Sequence, residues 1–195
     1  RLSIDCRSGE ATSRNVEAVV GPDVESEVIL GAHYDAHDVG EGAGDNGCGV
    51  AILLEVGRVL ARVEDDLDTR IRLVGFGAEE AGMFGSEHMA ETTDRSDVKC
   101  VLNLDGIGDS RTHRLYPHGF VGIEDAFDRA CADLDLPYAT EDGIFAHGDQ
   151  WPFVRRGIPA AMIGSGVAGR VAHAHTHNDT LDKIDRRDLR DLAIM

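Results

Sequence analysis

Residues Gly31 to Gly49 read GAHYDAHDVGEGAGDNGCG, and the fold follows from what stands on either side of them. The apolar run Val28-Ile29-Leu30 leads in, and a long apolar stretch with helical spacing leaves at Val50. A strand that ends in a glycine-rich loop and passes into a helix is the unit of an open α/β sheet. Ligands in such sheets sit at the carboxyl ends of the strands. Within the loop, His33 and Asp35 are two residues apart and share a face if the strand persists. Asp45 stands beside the start of the helix, among glycines. An imidazole and carboxylates gathered at a strand end suit a first-row metal such as zinc. On this stretch alone, a solvated acidic loop fits as well.

Outward from the loop, strands and helices alternate. Asn15 to Val20 alternates weakly and ends in the turn Gly21-Pro22-Asp23. Asn46 to Val63 is densely apolar, with Glu55, Arg58 and Arg62 as one narrow polar stripe. That pattern predicts a helix buried over most of its circumference. Ile71 to Gly77 and Val98 to Leu104 are nearly continuous apolar runs, as strands covered on both faces require. Two shorter strands are predicted at His113–Tyr116 and Pro159–Ile163. Further helices are predicted at Met83–Glu91, Gly122–Leu134 and Asp149–Arg156, and around Leu189 and Leu192 behind an Asp185 cap. No repeat or linker interrupts this alternation. It predicts one domain over residues 1–195, a three-layer α/β/α fold with a mostly parallel, mixed central sheet.

Bulk composition excludes several classes of function. With 195 residues, 42% of them apolar, the chain can bury a substantial core. It has no apolar run of about 18 residues, so no membrane-spanning helix is expected. Thirty-six acidic against 19 basic residues give a net charge of −17, a field that repels nucleic acid and anionic membranes. Lys99 and Lys183 are the only lysines. Many carboxylates with almost no lysine resemble the proteins of salt-loving organisms, where salt screens the self-repulsion. Cys6, Cys48, Cys100 and Cys131 show no CxxC or CxxH spacing, and Cys48 and Cys100 are expected as buried thiols. The chain lacks an initiator Met and stops at Met195 inside a helical pattern, as a segment trimmed at both ends does. Compartment and oligomeric state stay open.

Chemistry-bearing residues fall where the predicted strands end. His33, Asp45, Glu79-Glu80, Asp105 and His175 all follow strands or lie in the loops after them. Parallel strands bring those ends to one side of the sheet. Carboxylates crowded there repel one another, and a cation relieves the repulsion. Two imidazoles and three carboxylates match a pair of zinc ions with one carboxylate shared. Of two adjacent glutamates, one can ligate while its neighbour accepts a proton from water. A solvated pair opening a helix is the plainer alternative.

Five motifs stand in order: Ala32-His33-Tyr34-Asp35, Gly42-Ala43-Gly44-Asp45-Asn46-Gly47, Glu79-Glu80-Ala81-Gly82, Asn103-Leu104-Asp105-Gly106-Ile107-Gly108 and His175-Thr176-His177-Asn178-Asp179-Thr180. Together they resemble the M28 family of zinc aminopeptidases, from about Asn15 to Asp185. The resemblance implies that His33 and Asp105 hold one zinc and Glu80 and His175 the other. It makes Asp45 the bridge, followed by a cis peptide to Asn46. Glu79 is then the general base, and Asp35 orients His33. The implied cofactors are two zinc ions per chain, and the implied partners are peptides with a free N-terminus. Asp149 matches the Asp of a family Ser-Asp-His segment, but Gly148 and Gln150 replace its flanking residues. Ala174 stands where many members carry a Tyr before the last metal histidine. His175 is preferred over His173 and His177 because His-Thr-x-x-Asp is the family spacing. His37, in the same loop as His33, can line the site or stand solvated, and the solvated reading is favoured. Two rival readings share the scaffold. One is a single-zinc, glutaminyl-cyclase-like enzyme, a branch that tends to carry Asp-Ser at Asp45-Asn46. The other is a metal-free, receptor-like binding module, which loses ligands that this chain keeps.

Overall fold

The structure is a computed structural model that describes residues 3, 5, 9–108, 112–165 and 173–195. Seven strands of these residues form one sheet: β1 (Val16–Val20), β2 (Glu27–His33), β3 (Arg70–Phe76), β4 (Val98–Leu104), β5 (His113–Tyr116), β6 (Tyr138–Thr140) and β7 (Ala160–Ser165). Their order is β1-β3-β2-β4-β7-β5-β6. Strands β3, β2, β4 and β7 run parallel, β1 is antiparallel to β3, and β5 is antiparallel to β7. The sheet is therefore mixed and mostly parallel. Its parallel centre aligns the ends of β2, β3, β4 and β7 on one side.

Period-two alternation sends neighbouring residues into opposite cores. Leu73 packs on one face with Ala32, Leu104 and Ile163. There they meet Ile52 and Leu53 of α1 (Cys48–Leu60), Phe127 of α3 (Val121–Leu134) and Leu192 of α5 (Arg186–Ile194). Val74 packs on the other face with Ile29, Phe76 and Val101. They meet Met89 of α2 (Phe84–Thr92) and Phe153 of α4 (Trp151–Arg155). The three layers follow from this division. Phe76 and Phe153 are fully buried, each contributing about 1.5–3 kcal/mol by removal from water. Gly31 is required beside Phe76, because a Cβ there would lie 2.3 Å from the ring.

One expectation needs correction, and one strand was not foreseen. Helix α1 is not buried over most of its circumference: Leu54 is 69% and Val59 46% exposed. The sheet covers one face and α5 a flank, and the remaining side is open. Strand β6 also escaped the sequence reading. It has three residues and pairs only with β5, too short for periodicity to show. Among the described residues, no helix is long and apolar enough to cross a membrane. Cys48 and Cys131 are buried free thiols and Cys100 is a half-buried one. Cys6 lies outside the described residues.

Candidate metal centre

His33 is the last residue of β2, and its imidazole is buried. Its Nδ1 donates to the backbone carbonyl of Asp35 at 3.0 Å, which turns Nε2 toward the loops. That Nε2 lies 3.0 Å from Asp45 Oδ1 and 3.5 Å from Asp105 Oδ1. On the far side, His175 Nε2 lies 3.1 Å from Asp45 Oδ2 and 3.2 Å from Glu80 Oε2. The two oxygens of Asp45 thus face two different histidines.

Local structure holds each donor in place. The Asp45–Asn46 peptide is cis. Asp179, buried, accepts the backbone N–H of Gly44 at 2.7 Å and of Asp45 at 3.1 Å. The Asn46 side chain donates to the Leu104 carbonyl at 2.8 Å and accepts from Gly49 N–H at 3.1 Å. This ties the loop that bears Asp45 to the end of β4. Asp105 leaves β4 with its N–H donating to the Ile163 carbonyl at 3.0 Å. Asp35 does more than orient His33. Its carboxylate is 3.7 Å from Nδ1, farther than its own carbonyl, and it accepts the backbone N–H groups of Glu79 and Glu80 at 3.0 and 3.1 Å. One side chain therefore fixes the backbone of both glutamates.

Electrostatics match this crowding. Burial alone would lower the pKa of His33, but hydrogen bonds to Asp105, Asp35 and Asp45 outweigh it and hold the ring well above the ordinary histidine value. Burial pushes Glu79 up to about 8, with Asp105, Asp149 and Glu80 adding repulsion against the attraction of His33. Burial and Asp45 likewise raise Glu80. Asp149, fully buried, is pushed up to about 7 by desolvation. Among the described residues, Glu80 Oε1 and both oxygens of Asp149 are buried without a hydrogen-bond partner.

The donors suit a metal. Atoms bound at ~2.0–2.1 Å in a tetrahedral site stand about 3.3 Å apart, and the four contacts of His33 and His175 with Asp45, Asp105 and Glu80 span 3.0 to 3.5 Å. His33, Asp45 and Glu80 offer ligand atoms that all lie within 4.8 Å of one another, as do His37, Glu80 and His175.

All five candidate ligands, together with Asp35 and Glu79, come to this one edge. His37 lines it too while staying exposed, so both readings hold in part: its Nε2 is 3.0 Å from Glu80 Oε2, and its ring packs on His175 with centroids 4.1 Å apart. No periodicity marks a loop histidine, so the sequence held no signal for it beyond its place in the motif-bearing loop. Asp179 was also missed as a support, although it sits four residues after His175 in the same polar segment. His173 serves its loop through its carbonyl, which accepts from Thr176. His113 is buried against Asp188 on another part of the sheet, and His147 packs on Phe145.

Fold and donor set define an α/β protein built to hold metal at the carboxyl edge of its sheet. Comparison with known proteins narrows the class. The chain belongs to Peptidase family M28, whose family model matches residues 15–195. Aminopeptidase YwaD of Bacillus subtilis is 40% identical over 182 residues, covering 86% of this chain and 38% of that protein. Among solved structures, an aminopeptidase from Aneurinibacillus sp. strain AM-1 matches with a TM-score of 0.79 at 32% identity, over 92% of this chain and 45% of that one. BSAP, a zinc aminopeptidase from Bacillus subtilis, matches with a TM-score of 0.80 at 27% identity, over 92% and 47%. The chain thus spans less than half the length of these relatives.

Proposed function

We propose that this chain carries the catalytic centre of a zinc aminopeptidase that holds two zinc ions and releases the N-terminal residue of peptides. The observation that carries this reading is the Asp45 carboxylate, with Oδ1 toward His33 and Oδ2 toward His175. A carboxylate so placed would help to hold a metal at each of two positions, one with His33 and Asp105 and one with His175 and Glu80. The aminopeptidase relatives support the same activity. When bound, zinc supplies Lewis-acid activation of water and of the scissile carbonyl.

The chain's own residues do the rest. Glu79 accepts the proton of the attacking water and returns it to the leaving amine. In the metal-free chain its burial raises its proton affinity above that of an exposed glutamate. Asp35 is a positioning residue: its carboxylate fixes the peptide units of Glu79 and Glu80, so base and ligand keep their separate directions. The half-buried carboxylates around the cluster also suit the substrate's free ammonium, which fits an exopeptidase.

The test pairs two conservative variants. Glu79→Gln keeps the shape of the base but cannot accept a proton, so it should bind zinc as the parent does and lose ~10²–10⁴-fold in turnover of a leucyl-anilide. Glu80→Gln should lose zinc, because an amide oxygen is a poorer ligand than a carboxylate. Full turnover in Glu79→Gln would sink the mechanism. One zinc per parent chain would favour the single-zinc, cyclase-like alternative.

A further inference from the structure

We propose that His37 is a ligand of the metal position formed by Glu80 and His175. That position then has four protein groups, Asp45, Glu80, His175 and His37, while the His33 position keeps three. The inference rests on the two-zinc reading above and adds a ligand to it.

Four observations carry it. His37 Nε2 and His175 Nε2 approach the same Glu80 oxygen, Oε2, at 3.0 and 3.2 Å. Both distances fit the ~3.3 Å edge of a tetrahedral zinc site. The His37, Glu80 and His175 donor atoms are all within 4.8 Å of one another, close enough to share one ion. His37, Asp45, Glu80 and His175 also share the lining of one small cavity. Finally, the placement is built into the backbone. A Cβ at Gly40 would lie 2.5 Å from the Thr176 carbonyl oxygen, and one at Gly42, whose φ is +65°, would lie 2.5 Å from Ala36 Cβ. The loop bearing His37 is therefore pressed against the loop bearing His175.

The plainer account is a half-exposed histidine hydrogen-bonded to a carboxylate, since 3.0 Å suits that as well. Two hydrogen bonds to one carboxylate oxygen satisfy those distances, but they do not explain why His37, His175, Glu80 and Asp45 crowd into one small cavity with the two rings 4.1 Å apart. A shared ion explains the convergence. It also makes the two positions unequal: a position closed by four protein groups holds its metal more tightly than one with three.

The experiment uses the parent protein, labelled with ¹⁵N at histidine and loaded with ¹¹³Cd. Scalar coupling between cadmium and a ring nitrogen reports a direct bond. Coupling to His33, His175 and His37 is expected, with His37 and His175 on the same cadmium; coupling to His33 and His175 alone overturns the proposal. His37→Ala in a chelator competition provides an independent readout. A ligand's removal should weaken one of the two sites by more than the ~10–100-fold typical of outer partners and leave the other unchanged. A smaller loss assigns His37 to an outer, supporting place and also overturns the proposal. If the parent takes up a single cadmium uncoupled to His175, the two-zinc reading fails first, and the pattern of couplings separates that outcome from failure of His37 alone.

Discussion

Glu79 and Asp149 set a pH dependence that the metal-free protein should display. Burial holds them at about 8 and about 7, against ordinary values of 4.5 and 3.8. Between those limits the folded state keeps protons that the unfolded chain releases, so stability falls as pH rises. His33 acts in the same sense. Its carboxylate partners overcome burial and raise it above 6.5, so its contribution is full below that value and fades as pH climbs. Asp35 and Asp45 are lowered below 3.8 despite burial, chiefly through His33. Their contribution is lost only in strong acid, outside this window. The thermal midpoint of metal-free protein should therefore fall steadily from about pH 5 to pH 8. Zinc takes the place of bound protons, so the loaded protein should show a shallower slope and release acid on taking up metal. Asp149→Asn should flatten the metal-free slope in part. A metal-free midpoint that rises over this range would contradict the burial argument.

Elements whose apolar faces are continuous were legible in the sequence, and the segments between them were not. Val98–Leu104 and His113–Tyr116 are strands with the bounds expected, because their side chains fill cores on the sheet and the pattern records it. The five ligand candidates were legible from their positions after strands and from the family motifs. The contact of His37 with Glu80 and the support Asp179 gives to the Asp45 loop were not, since loop packing and long-range backbone contacts set them. The departures at Gly148 and Gln150 are also explained only at this scale. Gln150 is fully buried at the start of α4; its Nε2 donates to the carbonyls of His147 at 2.6 Å and Phe145 at 3.2 Å, and its Oε1 accepts from Asn103 Nδ2 at 3.1 Å. It joins the loop before α4 to β4, two residues from Asp105. A Cβ at Gly148, whose φ is +88°, would lie 2.8 Å from Gln150 Oε1 and 3.2 Å from Asp105 Oδ2. The two replacements are therefore one packing solution. Gln150→Ala should cost ~1–3 kcal/mol for each buried partner left without a hydrogen bond. Equilibrium unfolding in urea checks this, and a loss below ~0.5 kcal/mol, the range of surface changes, would show that the tie carries no weight.

At the scale of the whole molecule, charge is the dominant property. The ion pairs that form, such as Arg72 with Glu27 and Glu17 or Arg156 with Glu87 and Glu91, draw on only 19 basic residues, and the chain keeps a net charge of −17. Mutual repulsion of that size works against the folded state. The Debye length shrinks from ~10 Å at 0.1 M salt to ~3 Å at 1 M, about the contact distance of neighbouring side chains. The thermal midpoint of the zinc-loaded protein should therefore rise between 0.1 and 2 M KCl, steeply at first and levelling off once screening is nearly complete near ~1 M. The shape of the curve matters as much as its direction. A salt excluded from the surface also stabilises, but without that levelling. A rise that stays linear to 2 M would assign the effect to exclusion, and a flat or falling midpoint would show that repulsion among the carboxylates does not limit this fold.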